Sequence, residues 1–247
     1  MIAALPMYDR PETAAANDRL WQGLRAALGY GPETLTRDGD LWNTWQSPDL
    51  LIAQTCGYPF RARLHPHVQL VGTPVLALPD CPPGHYCSAL VVRADDPRDA
   101  PEAFGAAPFA YNEALSQSGW AAPQNWAAAR GFTFSNPFQT GAHRASALAV
   151  AEGRADIAAI DALTWDILRG HDRFTDTLRV LARTDPTPAL PYITARDRDP
   201  APLFNALQTA IAGLSQDDRT TLGITSLIRL PATDYLAVPN PPPPPPN

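Results

Sequence analysis

The chain alternates short apolar segments with longer amphipathic ones along most of its length. The first apolar run, IAALPMY, precedes a helical pattern that ends at Gly29, and DLLIAQT is a second strand-like run. Between residues 106 and 170, three strand-like runs are each followed by a helical pattern. Strands that alternate with helices of this length are typical of βαβ units. The predicted class is therefore α/β, with mainly parallel sheets flanked by helices.

Two proline-rich interruptions, near 79–84 and 185–191, bracket the middle of the chain. A chain that leaves one α/β lobe, builds a second and returns crosses twice between lobes, which is the connectivity of a hinged protein. The predicted parts are therefore lobe I at 1–84 and 188–238, lobe II at 85–187, and a disordered, solvated proline-rich tail at 239–247. Clefts between lobes commonly hold small ligands, so we expect a ligand there.

Composition excludes some functions and leaves others open. A net charge of -6 without a basic cluster argues against nucleic-acid binding, and no apolar run approaches the length of a membrane span. The N-terminus lacks the pattern of a secretory signal peptide, so we expect a cytoplasmic protein, or a periplasmic one if the sequence is a trimmed mature form. Whether Cys81 and Cys87 form a disulfide stays open.

Small polar residues occupy the segments that follow three predicted strands. SQSG (116–119) follows FAY; TGAH (140–143) follows the predicted strand GFTFS, with a helix expected to begin at Thr140 or Gly141; and Asp161 closes ADIAAID. Carboxyl ends of parallel strands share one edge of a sheet, and helix starts attract anions. The sequence therefore predicts an anion site at this edge, although serines before helices are more often simple caps.

Two other kinds of site are weighed against this one. Ser116 or Ser118, His143 and Asp161 contain the side chains of a hydrolytic triad, but a G-x-S-x-G elbow is missing. A zinc site could draw on His65, His67, Cys81, His85 and Cys87, but their spacings are not those of known zinc motifs. We therefore expect no catalysis, metal or cofactor, and a serine hydrolase is the alternative function.

The segments YNEALSQSG, TGAHRASALAVAEGRADIAAID and TPALPYIT resemble the type II periplasmic binding protein superfamily, in its phosphate, phosphite and phosphonate ABC-transporter branch. The resemblance covers most of residues 1–235. It implies a two-lobe α/β fold with a two-crossing hinge, and a small anionic or oxyanion-bearing ligand clasped without turnover. The implied partners are transporter membrane subunits or, for a cytoplasmic chain, a signalling protein.

The resemblance also assigns roles to particular residues. In that family the residues that match Ser116, Gln117, Ser118 and His143 hold the anionic head group, and the one that matches Asp161 accepts a protonated ligand oxygen. Loops that match those at Tyr8 and Tyr58 contribute aromatic or hydroxyl contacts. The predicted ligand-binding residues are Tyr8, Tyr58, Tyr111, Ser116, Gln117, Ser118, Thr140, His143 and Asp161.

Overall fold

The computed structural model describes residues 1–245, which form two compact units. Unit 1 comprises Met1–His85 and Pro188–Ala237. Unit 2 comprises Tyr86–Thr187 and the segment that begins at Val238. Residues 246 and 247 of the predicted tail lie outside the described residues. The chain passes from one unit to the other three times, after His85, Thr187 and Ala237.

Strands and helices alternate along the chain, as the apolar pattern predicts. The strands are β1 (Ile2–Ala4), β2 (Leu50–Gln54), β3 (Val68–Leu76), β4 (His85–Tyr86), β5 (Ser88–Arg93), β6 (Pro108–Tyr111), β7 (Asn136–Gln139), β8 (Ile157–Asp161), β9 (Leu178–Arg183), β10 (Thr187–Pro188), β11 (Tyr192–Ala195) and β12 (Ile224–Ile228). The α-helices are α1 (Ala14–Leu28), α2 (Leu41–Trp45), α3 (Gly57–Pro59), α4 (Ala122–Ala128), α5 (His143–Ala151), α6 (Ala162–His171), α7 (Pro200–Gly213), α8 (Gln216–Leu222) and α9 (Ala232–Leu236). π-Helical turns cover Phe60–Leu64 and Gln117–Ala121, and 3₁₀ turns cover Pro101–Phe104 and Arg173–Thr177.

Unit 1 is built on a five-stranded sheet in the order β1-β2-β11-β3-β12. β1 is parallel to β2, whereas β11 is antiparallel to both of its neighbours and β12 is antiparallel to β3. Helices α1 and α7 pack against each other and contribute Trp21, Leu24 and Leu207 to one core. α1 ends where the sequence predicts, because Gly29 adopts a left-handed conformation and its N–H bonds the Arg25 carbonyl.

Unit 2 is built on a second five-stranded sheet, in the order β7-β6-β8-β5-β9. β6 is parallel to both β7 and β8, and β5 is antiparallel to both β8 and β9. The central strand β8 is buried throughout because helices cover the sheet, which explains its continuous apolar sequence. The α/β class is confirmed. Both sheets are mixed, however, so the expectation of mainly parallel strands needs this correction.

Two local expectations in unit 2 are wrong. The predicted strand GFTFS is not a strand; Phe132 and Phe134 pack into an aromatic cluster, and the strand is the following segment, β7. Helix α5 begins at His143 rather than at Thr140 or Gly141. The N–H groups of Thr140 and Gly141 bond the carbonyls of Tyr111 and Asn112, which extends the strand pairing past β7. Gly141 has a positive φ of 87°, which is not helical.

In the described part of the predicted tail most residues are exposed, and two backbone carbonyls accept hydrogen bonds from side chains of unit 2. Pro241 is buried. The Trp120 indole Nε1 donates to the Pro242 carbonyl at 3.0 Å, and the Asn125 side chain donates to the Pro239 carbonyl at 2.8 Å.

Among residues 1–245, no helix combines the length and apolar character needed to cross a membrane. The three cysteines, Cys56, Cys81 and Cys87, form no disulfide.

Substitution of Leu207 by alanine should destabilise unit 1. Leu207 is fully buried between α7 and its neighbours, so Leu207→Ala should lower the free energy of unfolding by about 2–5 kcal/mol. The adjacent Gln208 is exposed, and Gln208→Ala should change it by about 0.5 kcal/mol or less. Urea unfolding followed by circular dichroism measures both. Equal midpoints for the two variants would contradict this account of the core.

Candidate functional site

Three parallel strands of unit 2 end at one edge of the sheet. β6 lies between β7 and β8, and Tyr111 at the end of β6 pairs with Gln139 at the end of β7. The chain then begins a π-helical turn at Gln117, α5 at His143 and α6 at Ala162. The first N–H groups of a helix have no partner within the helix and carry its positive dipole end. This edge therefore gathers groups suited to an anion.

Ser116 acts as an N-cap. Its Oγ accepts from the N–H of Gly119 at 2.9 Å, and its carbonyl accepts from the N–H groups of Trp120 and Ala121. Gln117 is buried, and its side-chain amide donates to Thr187 Oγ1 at 3.3 Å. Of the serines in SQSG, Ser116 is thus the one whose oxygen is used for capping.

Ser118 lies 2.9 Å from His143, measured between Oγ and Nε2. The carbonyl of Ser118 accepts from Ser88 Oγ at 2.8 Å, which ties the helical turn to the first residue of β5. Ser118 is only 3% exposed. The predicted pair of Ser118 and His143 is therefore brought together in a largely buried position.

His143 is a neutral side chain at pH 7. Burial lowers the pKa of its imidazole to about 4, and the Ala159 carbonyl opposes that shift only in part. Nδ1 is buried and makes no hydrogen bond of good geometry among the described residues, although the Ala159 carbonyl acts on the ring as an acceptor. A neutral ring carries one N–H, so Nε2 either donates to Ser118 or accepts from it.

Three further predicted residues lie at the same edge in mainly structural contacts. Thr140 Oγ1 is 3.1 Å from the Tyr111 carbonyl and 2.6 Å from Ser146 Oγ. The Tyr111 ring is buried against Trp120, and burial raises the pKa of its phenol. Asp161 is buried and caps α6, since one of its oxygens accepts from the Thr164 N–H at 2.9 Å.

Asn112 is a member of this edge that sequence reasoning missed. It follows β6 directly, and its Oδ1 is buried without a hydrogen-bond partner among the described residues. Gly119 has no side chain, and this leaves room for the amide of Asn112, because a Cβ on residue 119 would overlap Asn112 Oδ1. The only signal in the sequence is a polar residue directly after the strand FAY.

The two predicted residues of unit 1 are both buried. Tyr8 lines a small pocket with Asn17, Gln54 and Tyr192. Tyr58 lies beneath the guanidinium of Arg61, whose central carbon is 4.4 Å from the ring centroid.

The two alternative sites are a hydrolytic triad and a zinc site, and the structure assembles only part of the triad. Ser118 and His143 have the contact of a nucleophile and a base, but a triad also needs a carboxylate bonded to Nδ1, and Nδ1 has no such bond. For zinc, the described residues 1–245 contain no group of three or more His, Cys, Asp or Glu side chains placed to hold a metal ion. The histidines and cysteines of the zinc alternative are therefore not gathered into one.

A side chain added at Gly119 should be destabilising. An alanine Cβ would overlap Asn112 Oδ1 and lie 3.2 Å from Ser116 Oγ, so Gly119→Ala should destabilise unit 2 by about 1–3 kcal/mol. Gly170 is the matched control, because it lies in α6 with open space around it, and Gly170→Ala should be neutral or slightly stabilising. Thermal unfolding compares the two. Equal melting temperatures would show that Gly119 is not crowded.

The low pKa of His143 should make stability depend on pH. Its pKa in the folded protein, about 4, lies below the ordinary value of 6.5 for histidine. Between these values the unfolded chain binds more protons, so stability falls as the pH drops through this range. His143→Gln removes this pH-dependent loss of stability. The melting temperature of the wild type should therefore fall more steeply than that of the variant as the pH drops, so that the two converge or cross. His171→Gln, at an exposed position, is the control. Parallel curves from pH 7 to pH 4 would refute the shift.

Comparison with known proteins identifies relatives of the chain. The family model described as "ABC transporter, phosphonate, periplasmic substrate-binding protein" matches residues 2–234. No curated protein matches the sequence significantly.

Several solved structures share the fold at low identity. PhnD1 from Prochlorococcus marinus, in complex with methylphosphonate, superposes with a TM-score of 0.73 at 14% identity, covering 95% of this chain and 94% of that one. A binding protein component of an ABC phosphonate transporter from Pseudomonas aeruginosa gives 0.70 at 16% identity, covering 92% and 80%. A Xanthomonas citri protein bound to ATP gives 0.67 at 15%, covering 94% and 92%. These neighbours confirm the two-lobe fold. Because the family model spans most of the sequence, the chain belongs to the family of periplasmic substrate-binding proteins of phosphonate ABC transporters.

Proposed function

We propose that this chain binds a small phosphorus oxyanion of the phosphonate or phosphate class at the strand edge of unit 2, without turnover, and supplies it to the membrane subunits of an ABC transporter. The observation that carries the proposal is the buried pair of Ser118 and His143, 2.9 Å apart beside a helix start. A buried hydroxyl and imidazole at such a point suit a ligand rich in acceptor oxygens.

The donors at this edge are neutral. Arg144 follows His143 in the sequence, but its guanidinium pairs with Asp172 at 2.7 Å. His143 is uncharged at pH 7 because burial lowers its pKa. The anion is therefore held by hydrogen bonds and helix dipoles, whose geometry selects for shape, rather than by a cationic side chain.

The imidazole can direct the serine hydroxyl toward the ligand. In the tautomer with hydrogen on Nε2, His143 donates to Ser118 Oγ, and the serine hydrogen is left to bond an anionic oxygen. An oxygen of Asp161 can accept a hydrogen bond from a protonated ligand oxygen, because an ionised carboxylate accepts hydrogen bonds and cannot donate them. This favours monoprotonated phosphonate and phosphate over sulfate, which has no proton to offer near neutral pH.

The related structures support the ligand class. Methylphosphonate and ATP, the ligands of two structural neighbours, both carry tetrahedral phosphorus with several oxygens. Contacts from Gln117 and Thr140 at the same edge are part of the proposal. The periplasmic role of the family supports delivery to a transporter over cytoplasmic sensing with a signalling partner.

Binding can be tested with methylphosphonate, phosphate, phosphite and sulfate. The three phosphorus oxyanions should raise the melting temperature of the full chain saturably, whereas sulfate should not. Ser118→Ala should weaken methylphosphonate binding in calorimetry by roughly 10- to 150-fold, because it removes one charge-assisted hydrogen bond. Ser135→Ala is the matched control, since that exposed serine of unit 2 bonds only the Gly105 carbonyl among the bonds described.

The outcomes separate the proposal from the hydrolase alternative. Absence of saturable binding to every phosphorus oxyanion would refute the proposal. Hydrolysis of ester or phosphoester substrates that disappears in His143→Ala would favour the enzyme instead.

A further inference from the structure

The C-terminal segment has a sequence that fixes its own conformation. Proline locks φ near −65°, and a residue before proline is restricted to extended backbone. In VPNPPPPPPN both Val238 and Asn240 precede prolines, so the whole segment is biased toward a polyproline II helix. Such a helix makes no internal hydrogen bonds, so its carbonyls are available to donors elsewhere.

Two carbonyls of this segment accept hydrogen bonds from unit 2. Trp120 Nε1 donates to Pro242 at 3.0 Å and Asn125 Nδ2 donates to Pro239 at 2.8 Å. A polyproline II helix has three residues per turn, so carbonyls three residues apart lie on the same side, about 9 Å from each other. The spacing of the two accepting residues therefore matches one turn of that helix.

The surface that receives the segment is aromatic. Trp120 is 4% exposed and packs against Tyr111, and Pro241, between the two accepting residues, is buried. Flat aromatic rings that combine with an indole N–H are the usual means by which proteins recognise polyproline II helices. The contact thus combines two directed hydrogen bonds, one of them from an indole N–H, with a register that fits one turn of the helix.

We propose that Trp120 and Asn125 form a binding site for a polyproline II helix in unit 2, and that its occupant is the chain's own segment 239–245. α9 ends at Leu236, so only a short linker precedes Pro239. A short linker holds the segment near the site at an effective concentration of about millimolar. Weak intrinsic affinity is then enough to keep the site occupied. A free proline-rich peptide should then bind only when the chain's own segment is disabled.

The test uses the full chain with every proline from 239 to 246 changed to glycine. The peptide VPNPPPPPPN is added to this variant and to wild type. The Trp120 indole N–H signal in ¹H–¹⁵N NMR, assigned from its loss in Trp120→Phe, reports the hydrogen bond. We expect it to be protected from solvent exchange in wild type, unprotected in the glycine variant, and protected again when the peptide is added.

A second substitution tests the hydrogen bond to Pro239. In the glycine background, Asn125→Asp replaces a donor with an acceptor and should weaken peptide binding at least roughly 2- to 13-fold. Asn205→Asp is the control, because it makes the same change in charge at an exposed position of α7 in unit 1.

Peptide binding to the glycine variant but not to wild type, together with the loss in Asn125→Asp, supports the proposal. An indole signal that is the same in wild type and glycine variant, with no peptide binding, overturns it. A dimer in wild type that disappears in the glycine variant would show that the segment binds a second copy, which overturns occupation within one chain.

Discussion

The hydrogen bonds that pair β6 with both β7 and β8 determine the position of the polar groups at the candidate site. They hold Tyr111 opposite Gln139 and Phe109 opposite Ile157, so three parallel strands end at one edge. The ladder then continues through the N–H groups of Thr140 and Gly141, which delays the start of α5 until His143. The imidazole consequently reaches Ser118 on the neighbouring helical turn. A register shift of one residue in β7 would move it away.

Burial makes each polar atom at this edge costly unless it has a partner, and the chain itself supplies most of the partners. Ser116 caps a helical turn and one oxygen of Asp161 caps α6, so those oxygens stabilise the fold whether or not a ligand is present. Asn112 Oδ1 and His143 Nδ1 differ, because neither makes a hydrogen bond of good geometry among the described residues. Resemblance assigns one role to every residue of a motif, whereas these contacts separate the residues that cap helices from those with a polar atom that lacks such a bond.

Local sequence predicted the elements whose signals are local. Gly29 ends α1 through its left-handed conformation, and Ser116 and Asp161 occupy N-cap positions that their residue types favour. The mixed direction of the sheets depends on which distant segments pair, as when β11 enters between β2 and β3, and a local pattern does not contain that information. Phe132 and Phe134 alternate as in a strand, yet they pack with other rings. β7 was missed because it contains Pro137, which a strand at the edge of a sheet tolerates.

The proline-rich C-terminal segment also shows what local sequence cannot predict. Its composition fixes the backbone conformation but not whether a partner exists, since an extended helix without internal hydrogen bonds is stable both in water and against a matching surface. The partner is supplied by the fold, which places Trp120 on the π-helical turn that also carries Ser118. One turn of helix therefore contacts the C-terminal segment through its indole and His143 through its serine. Because both contacts depend on the conformation of Gln117–Ala121, a change in that turn would alter the two together.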